Sequence, residues 1–292
     1  MRQRKPVFFA VLAAALYAVN SPFSKLLLEN LSPTMLAALL YLGAGTGLFL
    51  MGIVQKRTGA AQKEMPLTRR ELPWTIGMVA LDIAAPISLM AGLKLTSAAN
   101  ASLLNNFEIV ATSLIAFSAF KEKITKRLFI GILLVTAASI LLSVEDIRSL
   151  SFSAGSLLIL LACIFWGLEN NCTKKLSSKN PLEIVVIKGF CSGAGSLGIA
   201  LAVGEFSFAL PHAFLALFLG FVAYGLSIYF YIYAQRYLGA AKTSAYYAVS
   251  PFIGTALSLV VFREIPSISF LTALAVMIAG TCFVSKAEGS GT

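Results

Sequence analysis

The sequence predicts an all-α polytopic membrane protein with ten transmembrane helices arranged as two inverted five-helix repeats. Three observations lead there. Of the 292 residues, 58% are hydrophobic and only 12% are charged, and the mean hydropathy is +0.84, whereas soluble domains carry charge on about a quarter of their residues. The apolar residues form ten runs of about twenty residues each, the length that crosses a bilayer as a helix. Features of the first five runs recur in the same order in the last five.

The predicted spans of the first half are joined by short connectors. We place them at Val7–Leu28, Pro33–Val54, Leu72–Leu93, Ser97–Phe120 and Leu128–Val144. The first also fits a cleaved signal peptide, but it has a counterpart inside the chain, which a removed leader would lack. The second begins with Ser32 and Pro33, a capping residue followed by proline in the first turn. The third follows the polar connector Gln55–Glu71, whose glycine and proline predict a loop.

The predicted spans of the second half repeat this order. We place them at Ser153–Thr173, Pro181–Val203, Phe214–Gln235, Thr243–Phe262 and Ser267–Val284. The seventh span, like the second, begins with a cap and a proline, Asn180 and Pro181. The two repeats are therefore residues 1–148 and 149–292. Because each holds an odd number of spans, the second copy enters the membrane from the opposite side, an arrangement frequent in secondary transporters.

Matching residues carry the repeat. Tyr17, Asn20, Ser21, Ser24 and Lys25 correspond to Trp166, Glu169, Asn170, Thr173 and Lys174, and Lys94, Ala98, Ala99, Ser102 and Glu122 correspond to Arg236, Ala240, Ala241, Ser244 and Glu264. Both halves thus end their first span in an aromatic, polar and lysine run. Both also open their fourth span with two alanines and close it with a glutamate.

These features resemble the EamA family of the drug/metabolite transporter superfamily, over nearly the whole chain. The resemblance implies a ten-span transporter and favours export of amino-acid-like compounds, but its diffuse motifs name no substrate. One position departs from the family pattern. The proline common in the fourth span of each half is present as Pro251 but replaced by Ile109 beside Glu108, so we expect the first half to lack the bend and to carry a charge instead.

The basic residues predict the orientation. With the amino terminus inside, 18 of the 23 Lys and Arg residues fall on the inner side, four fall outside, and Lys188 lies within a span. Short cytoplasmic loops carry such an excess, so we expect a multi-pass protein of the plasma (inner) membrane with both termini cytoplasmic. Orientation and attraction to the anionic lipid bilayer account for the net charge of +10, and no nucleic-acid partner is needed.

Ionisable side chains inside spans mark function, since each costs roughly 2.5–3.5 kcal/mol at the bilayer centre on insertion scales. Asp82 and Glu108 lie halfway along neighbouring spans, at similar depth. We expect them to share a proton or hold a cation between them. Lys188 either neutralises one of them or extends to the inner interface.

Helical spacing groups further polar residues with these carboxylates. Asn105, Glu108 and Thr112 share one helix face, as their counterparts in the ninth span do. The alternative is that such residues only form hydrogen bonds between helices. Aromatic faces opposite carboxylates suit an organic cation or the ammonium of an amino acid. The predicted substrate-binding residues are Tyr17, Asn20, Asp82, Asn105, Glu108, Trp166, Glu169, Asn170, Lys188, Tyr224, Tyr247 and Ser250.

Other motifs point to no cofactor and no metal. The four cysteines lack the paired spacing of a disulfide framework or zinc site, and His212 is the only histidine. The run from Gly193 to Gly198 matches a dinucleotide fingerprint, but it lies in an apolar span without a preceding strand. We therefore interpret its small residues, with Gly43 and Gly47, as allowing helices to approach closely.

The predicted function is secondary transport of a small organic metabolite, with no enzymatic activity. One alternative is proton-coupled import of a cationic metabolite. A remote alternative is an intramembrane hydrolase that uses Asp82 and Glu108 as an acid pair.

Overall fold

The computed structural model describes residues 4–59, 64–120, 124–146, 151–206, 209–238, 243 and 246–289. Within these residues the fold is helical apart from one short two-stranded ladder. In the described part of the chain, seven helical spans are long and apolar enough to cross a membrane. Large apolar side chains such as Phe214, Phe218 and Val260 are exposed on the outer surface, as expected for a surface that faces lipid.

The helices of the first half follow the predicted spans closely. They are α1 (Arg4–Ala18), α2 (Asn20–Leu27), α3 (Pro33–Arg57), α4 (Leu72–Leu95), α5 (Ala98–Leu104), α6 (Phe107–Phe120) and α7 (Lys126–Ser143). Together α1 and α2 form the first span, and a short 3₁₀ turn at Arg69–Glu71 precedes α4. The strands β1 (Val144–Asp146) and β2 (Ser151–Phe152) lie beside the predicted boundary between residues 148 and 149, which itself falls outside the described residues.

The second half begins after this ladder. It contains α8 (Ala154–Leu176), α9 (Pro181–Ala202), α10 (Leu210–Gly220), α11 (Ser227–Leu238), α12 (Ser250–Phe262) and α13 (Ile268–Gly289). A π-helical segment, Phe221–Leu226, joins α10 to α11 as one continuous span. The predicted ninth and tenth spans correspond to shorter apolar helices, and the two alanines expected to open the ninth lie outside the described part of the chain.

Both predicted cap-and-proline starts are confirmed. The Ser32 hydroxyl accepts a hydrogen bond from the Met35 amide at 3.4 Å before Pro33 opens α3. The Asn180 side chain accepts one from the Leu182 amide at 3.0 Å at the start of α9. Each satisfies an amide that the first helical turn leaves without a backbone partner.

The expectation that the fourth span would lack a bend is wrong. Asn105 and Asn106 form a turn that separates α5 from α6, although no proline is present. The Leu103 carbonyl accepts hydrogen bonds from the Asn106 amide at 3.2 Å and from the Asn106 side chain at 3.1 Å. This carbonyl would otherwise receive the amide four residues later, so the buried asparagine replaces a helical bond and ends the helix.

Helix packing relates the two halves. The pairs α3 with α9, α7 with α13, and α5 with α12 each join a span of the first half to its predicted counterpart. The remaining main contacts occur in matched pairs. The third span packs on the sixth through α4 and α8, and the first packs on the eighth through α1 and α11. Likewise α6 packs on α8, and α12 packs on α1.

Glycines bring the backbones of facing helices together, as predicted. A Cβ atom built at Gly189 in α9 would lie 2.3 Å from the Gly45 nitrogen in α3. One at Gly43 would lie 2.0 Å from the Leu217 carbonyl oxygen in α10. Gly47 and Gly193 are similarly close to side chains of neighbouring helices, whereas nothing lies within 4 Å of the Cβ position at Gly198. Close approach without a hydrophobic driving force is how helices associate in lipid.

Loop contacts tie α3 to α9 at both ends. Where α3 begins, Ser32 and Thr34 donate hydrogen bonds to the Glu205 carbonyl and carboxylate at 2.5 and 2.6 Å. Where α9 begins, the Asn180 amide donates to the Met65 carbonyl at 2.9 Å. We name these the Glu205 contact and the Met65 contact. In each, the start of one helix binds the loop that follows the other helix.

A second hydrogen bond and two ion pairs strengthen the Met65 contact. The Leu67 amide donates to the Glu183 carboxylate at 3.0 Å. Lys179 pairs with Glu71 at 3.3 Å, and Arg236 pairs with Glu64. The Met65 contact therefore holds more charged partners than the Glu205 contact.

Candidate functional site

A buried triad of charged residues lies between α4, α8 and α9. The Lys188 ammonium is 2.9 Å from Glu169 Oε1 and 3.2 Å from Asp82 Oδ2. All three residues are at most 5% exposed. The hydroxyl of Thr173, one turn after Glu169, also donates to Glu169 Oε1. One cation thus serves two carboxylates from different helices.

Tyr41 completes the coordination of Asp82, and the sequence did not reveal it. Its hydroxyl donates to Asp82 Oδ1 at 2.8 Å, and its ring lies 5.1 Å from that of Tyr224. In the repeat, Tyr41 corresponds to Gly189, so no matched polar residue drew attention to it. The available signal was a tyrosine in the interior of an apolar span, where its hydroxyl needs a partner.

Aromatic rings from four spans meet beside the triad. The Tyr17 ring centroid lies 6.4 Å from that of Trp166, 5.8 Å from that of Tyr224 and 6.0 Å from that of Tyr247. The side-chain amide of Asn20 donates a hydrogen bond to the Tyr224 hydroxyl at 3.1 Å, which holds that ring in place. Tyr224 itself lies in the π-helical segment, a distortion often found at functional sites.

Glu108 lies apart from the triad in its contacts. The side-chain amide of Asn170 donates hydrogen bonds to Glu108 Oε1 at 2.7 Å and to the Thr112 hydroxyl at 3.3 Å. The predicted sharing of a proton or cation with Asp82 therefore does not appear, because each carboxylate has other partners. Both Glu108 and Asn170 are only partly buried, so this pair is more accessible than the charged triad.

The last two predicted residues lie at the breaks in the fourth and ninth spans. The Asn105 side-chain oxygen is 4.0 Å from the Cys163 sulfur. Ser250 is 1% exposed, and its hydroxyl has no hydrogen-bond partner among the described residues. Ser250 directly follows the turn at Ala248 and Val249, just as α6 follows the turn at Asn105. Both spans are thus interrupted near the same polar region.

The structure places most of the predicted residues in three groups, each held together by contacts among its own members. The triad contains Asp82, Glu169 and Lys188; the aromatic group contains Tyr17, Trp166, Tyr224 and Tyr247, with Asn20 bonded to it; and the third group pairs Glu108 with Asn170. Lys188 neutralises carboxylates and does not extend to the interface. Carboxylates, amides and ring faces in one buried region can bind an ammonium group and orient an organic molecule.

Comparison with known proteins gives consistent matches. A model of the EamA-like transporter family matches residues 4–144 and 153–286. An uncharacterized transporter from Methanothermobacter thermautotrophicus is 25% identical over 271 residues, which cover 87% of this chain and 78% of that protein. The uncharacterized transporter YyaM from Bacillus subtilis is 26% identical over 207 residues, 64% of each chain. A crystal structure with a TM-score of 0.70 covers 98% of both chains at 16% identity, which shows a shared fold.

Proposed function

The chain belongs to the EamA-like transporter family, and on that premise we propose that it is a secondary transporter that moves a small organic metabolite by alternating access. The metabolite is amino-acid-like or a related compound, and the direction is export from the cell. Family membership makes the chain a membrane transporter and not an enzyme, so the intramembrane-hydrolase interpretation is wrong. Asp82 is also paired with Lys188 and not with a second carboxylic acid.

We propose that the transporting unit consists of two inverted five-helix halves, residues 1–148 and 149–292. Three of its ten crossings are the shorter or broken helices of the fourth, ninth and tenth spans. Two observations support this division. The family match itself falls into two ranges on either side of the ladder. The matched helix contacts are those that a pseudo-two-fold axis between the halves would generate.

The observation that carries the proposal is the buried polar region to which both halves contribute. Asp82, Tyr17 and Glu108 come from the first half, and Lys188, Trp166 and Tyr224 come from the second. Burying charges costs several kcal/mol each even after relaxation, and in membrane proteins such groups mark substrate and ion pathways. A region built from both halves is one whose exposure changes when the halves move relative to each other.

The lining supports an amino-acid-like substrate. Ring faces at Tyr17, Trp166 and Tyr247 favour an ammonium group or an apolar side chain. The Glu108 carboxylate, held by Asn170 at 2.7 Å, supplies a negative charge at the accessible edge. An excess of carboxylates over lysine in this region also favours the second candidate, proton-coupled import of a cationic metabolite.

A ligand screen followed by flux measurement tests the proposal. Purified protein is screened by thermal shift against amino acids, primary amines and neutral sugars, and the compounds that stabilise it are tested for uptake into proteoliposomes. Glu108→Gln removes the charge at a site of charge-assisted binding, worth about 1.5–3 kcal/mol, so uptake should fall about 10- to 100-fold. Glu29→Gln, in an exposed loop, is the matched control.

The direction of flux and its dependence on a proton gradient distinguish the exporter from the proton-coupled importer. Export of an amino-acid-like compound predicts flux in the cytoplasm-to-outside direction for protein of known orientation, with the termini on the cytoplasmic side. Accumulation that requires an inward proton gradient would instead support the importer. Full uptake by Glu108→Gln, or binding without any flux, would contradict the proposed transport site.

A further inference from the structure

The charged triad is unbalanced, and the imbalance falls between the two halves. Asp82 lies in α4 of the first half, whereas Glu169 and Lys188 lie in α8 and α9 of the second. Two carboxylates and one ammonium leave one net negative charge when both carboxylates are ionised. Because the three side chains are at most 5% exposed, water cannot stabilise that charge, and an uncompensated buried charge costs several kcal/mol.

The geometry shows which carboxylate is less well compensated. Lys188 donates a hydrogen bond to Glu169 Oε1 at 2.9 Å, and Thr173 donates to the same oxygen. Asp82 Oδ1 accepts from Tyr41. Asp82 Oδ2 is fully buried, and its only polar partner among the described residues is the Lys188 ammonium, 3.2 Å away and shared with Glu169. Asp82 is therefore the less well compensated carboxylate of the triad.

Few other titratable groups face this oxygen. Tyr41 approaches from α3, Lys188 from α9 and Glu169 from α8, and Tyr224 in the π-helical segment stacks against Tyr41. Cys172 lies on α8, one turn from Glu169. Glu108, the remaining carboxylate of the region, is occupied by Asn170. No second cation among these groups can neutralise the triad.

We propose that Asp82 Oδ2 binds one exchangeable proton, and that this proton controls the ion pair that joins the two halves in the core. A proton from the aqueous phase adds to Asp82 Oδ2, and the charge of the triad changes from −1 to 0. Lys188 keeps its own protons and then pairs with Glu169 alone, within the second half. Loss of the proton restores the attraction between Asp82 and Lys188 across the halves.

The proton on Asp82 would be the coupling ion of the transporter, and that role rests on the proposed function. The proton site itself does not rest on the proposed function, because it follows from charge balance in the resting protein. It can be tested without any substrate. Failure to find the proton would leave transport by the aromatic and Glu108 groups standing, and failure of transport would leave the proton site standing.

The test counts bound protons in a series of charge variants. Infrared difference spectra of the full-length protein, recorded between mildly acidic and mildly alkaline buffer, report the band of a protonated carboxylic acid. Wild type should show such a band, and Glu108→Gln removes any share of it that belongs to Glu108. Asp82→Asn should lack the band that Asp82 contributes. Glu169→Gln should lack it too, since a balanced Asp82–Lys188 pair needs no proton, whereas Lys188→Met should gain carboxylic acid signal.

Thermal unfolding provides a second readout, and its first prediction concerns the wild-type protein alone. The folded protein keeps a proton that the unfolded chain has released, so the stability of wild type should fall as the pH rises. Asp82→Asn should remove that dependence and be more stable than wild type in alkaline buffer. Glu29→Gln should behave as wild type in both measurements.

Two results would overturn the inference. If Glu169→Gln kept the wild-type carboxylic acid band, the proton would not be held by the charge imbalance of the triad. If Glu108→Gln abolished the band and Asp82→Asn retained it, the proton would lie on Glu108.

Discussion

Replacement of Gly189 by alanine tests the backbone contact on which the α3–α9 pair depends. The added Cβ would lie 2.3 Å from the nitrogen and 2.4 Å from the Cα of Gly45, and 2.8 Å from the carbonyl oxygen of Tyr41. These are backbone atoms that no rotamer change can move. Overpacking of this kind costs about 1–3 kcal/mol, and we expect the upper end because two helices must separate. Tyr41 would move with α3, which would also lengthen its bond to Asp82.

The same helix provides a matched control. Gly198 has nothing within 4 Å of its Cβ position, so Gly198→Ala adds only helix propensity, up to about 1 kcal/mol of stabilisation. The two purified variants are unfolded in detergent by heat or denaturant, and tryptophan fluorescence monitors the transition. Gly189→Ala should unfold first and Gly198→Ala no earlier than wild type. Equal stability of the two variants would refute the assigned helix contact.

Three further substitutions address single contacts. Tyr41→Phe removes the hydrogen bond to Asp82 and should lower the free energy of unfolding by about 0.5–1.5 kcal/mol, the value of a bond to the protonated acid; an unchanged unfolding midpoint would contradict that bond. Asn106→Leu should join α5 to α6, and slower hydrogen exchange at the first amide of α6 would show it. Lys25→Met frees carbonyls at the end of α4 that its ammonium contacts at 2.7 and 2.8 Å, so exchange in the last turn of α4 should accelerate, whereas exposed Lys94→Met should not change it.

The positions of helices were predictable because their signals are local. The apolar runs, the caps at Ser32 and Asn180, and the glycines facing neighbouring helices each depend on a few adjacent residues. The residue types of the polar region were predictable for a related reason. Ionisable groups within apolar runs are too costly to be common, so Asp82 and Lys188 stood out from the sequence alone.

Partnerships within the polar region could not be predicted. Depth along a span places Asp82 and Glu108 at similar heights, but pairing also depends on how each helix is rotated and which neighbour it meets. The structure turns Asp82 toward α9 and Lys188, and Glu108 toward α8 and Asn170. The break in the fourth span escaped prediction because asparagine ends that helix through its side chain, which the absence of proline concealed.

The two loop contacts at opposite ends of α3 and α9 set which end separates more readily. Each includes two or more hydrogen bonds, and each bond has a net value of about 0.5–1.5 kcal/mol. The ion pairs of Lys179 and Arg236 add to the Met65 end alone, each by up to about 1 kcal/mol. In the predicted topology that end faces the cytoplasm. With that orientation we expect the molecule to open more readily on the outer side. Because salt screens partly exposed ion pairs, a higher ionic strength on the inner face should reduce the difference between the two ends.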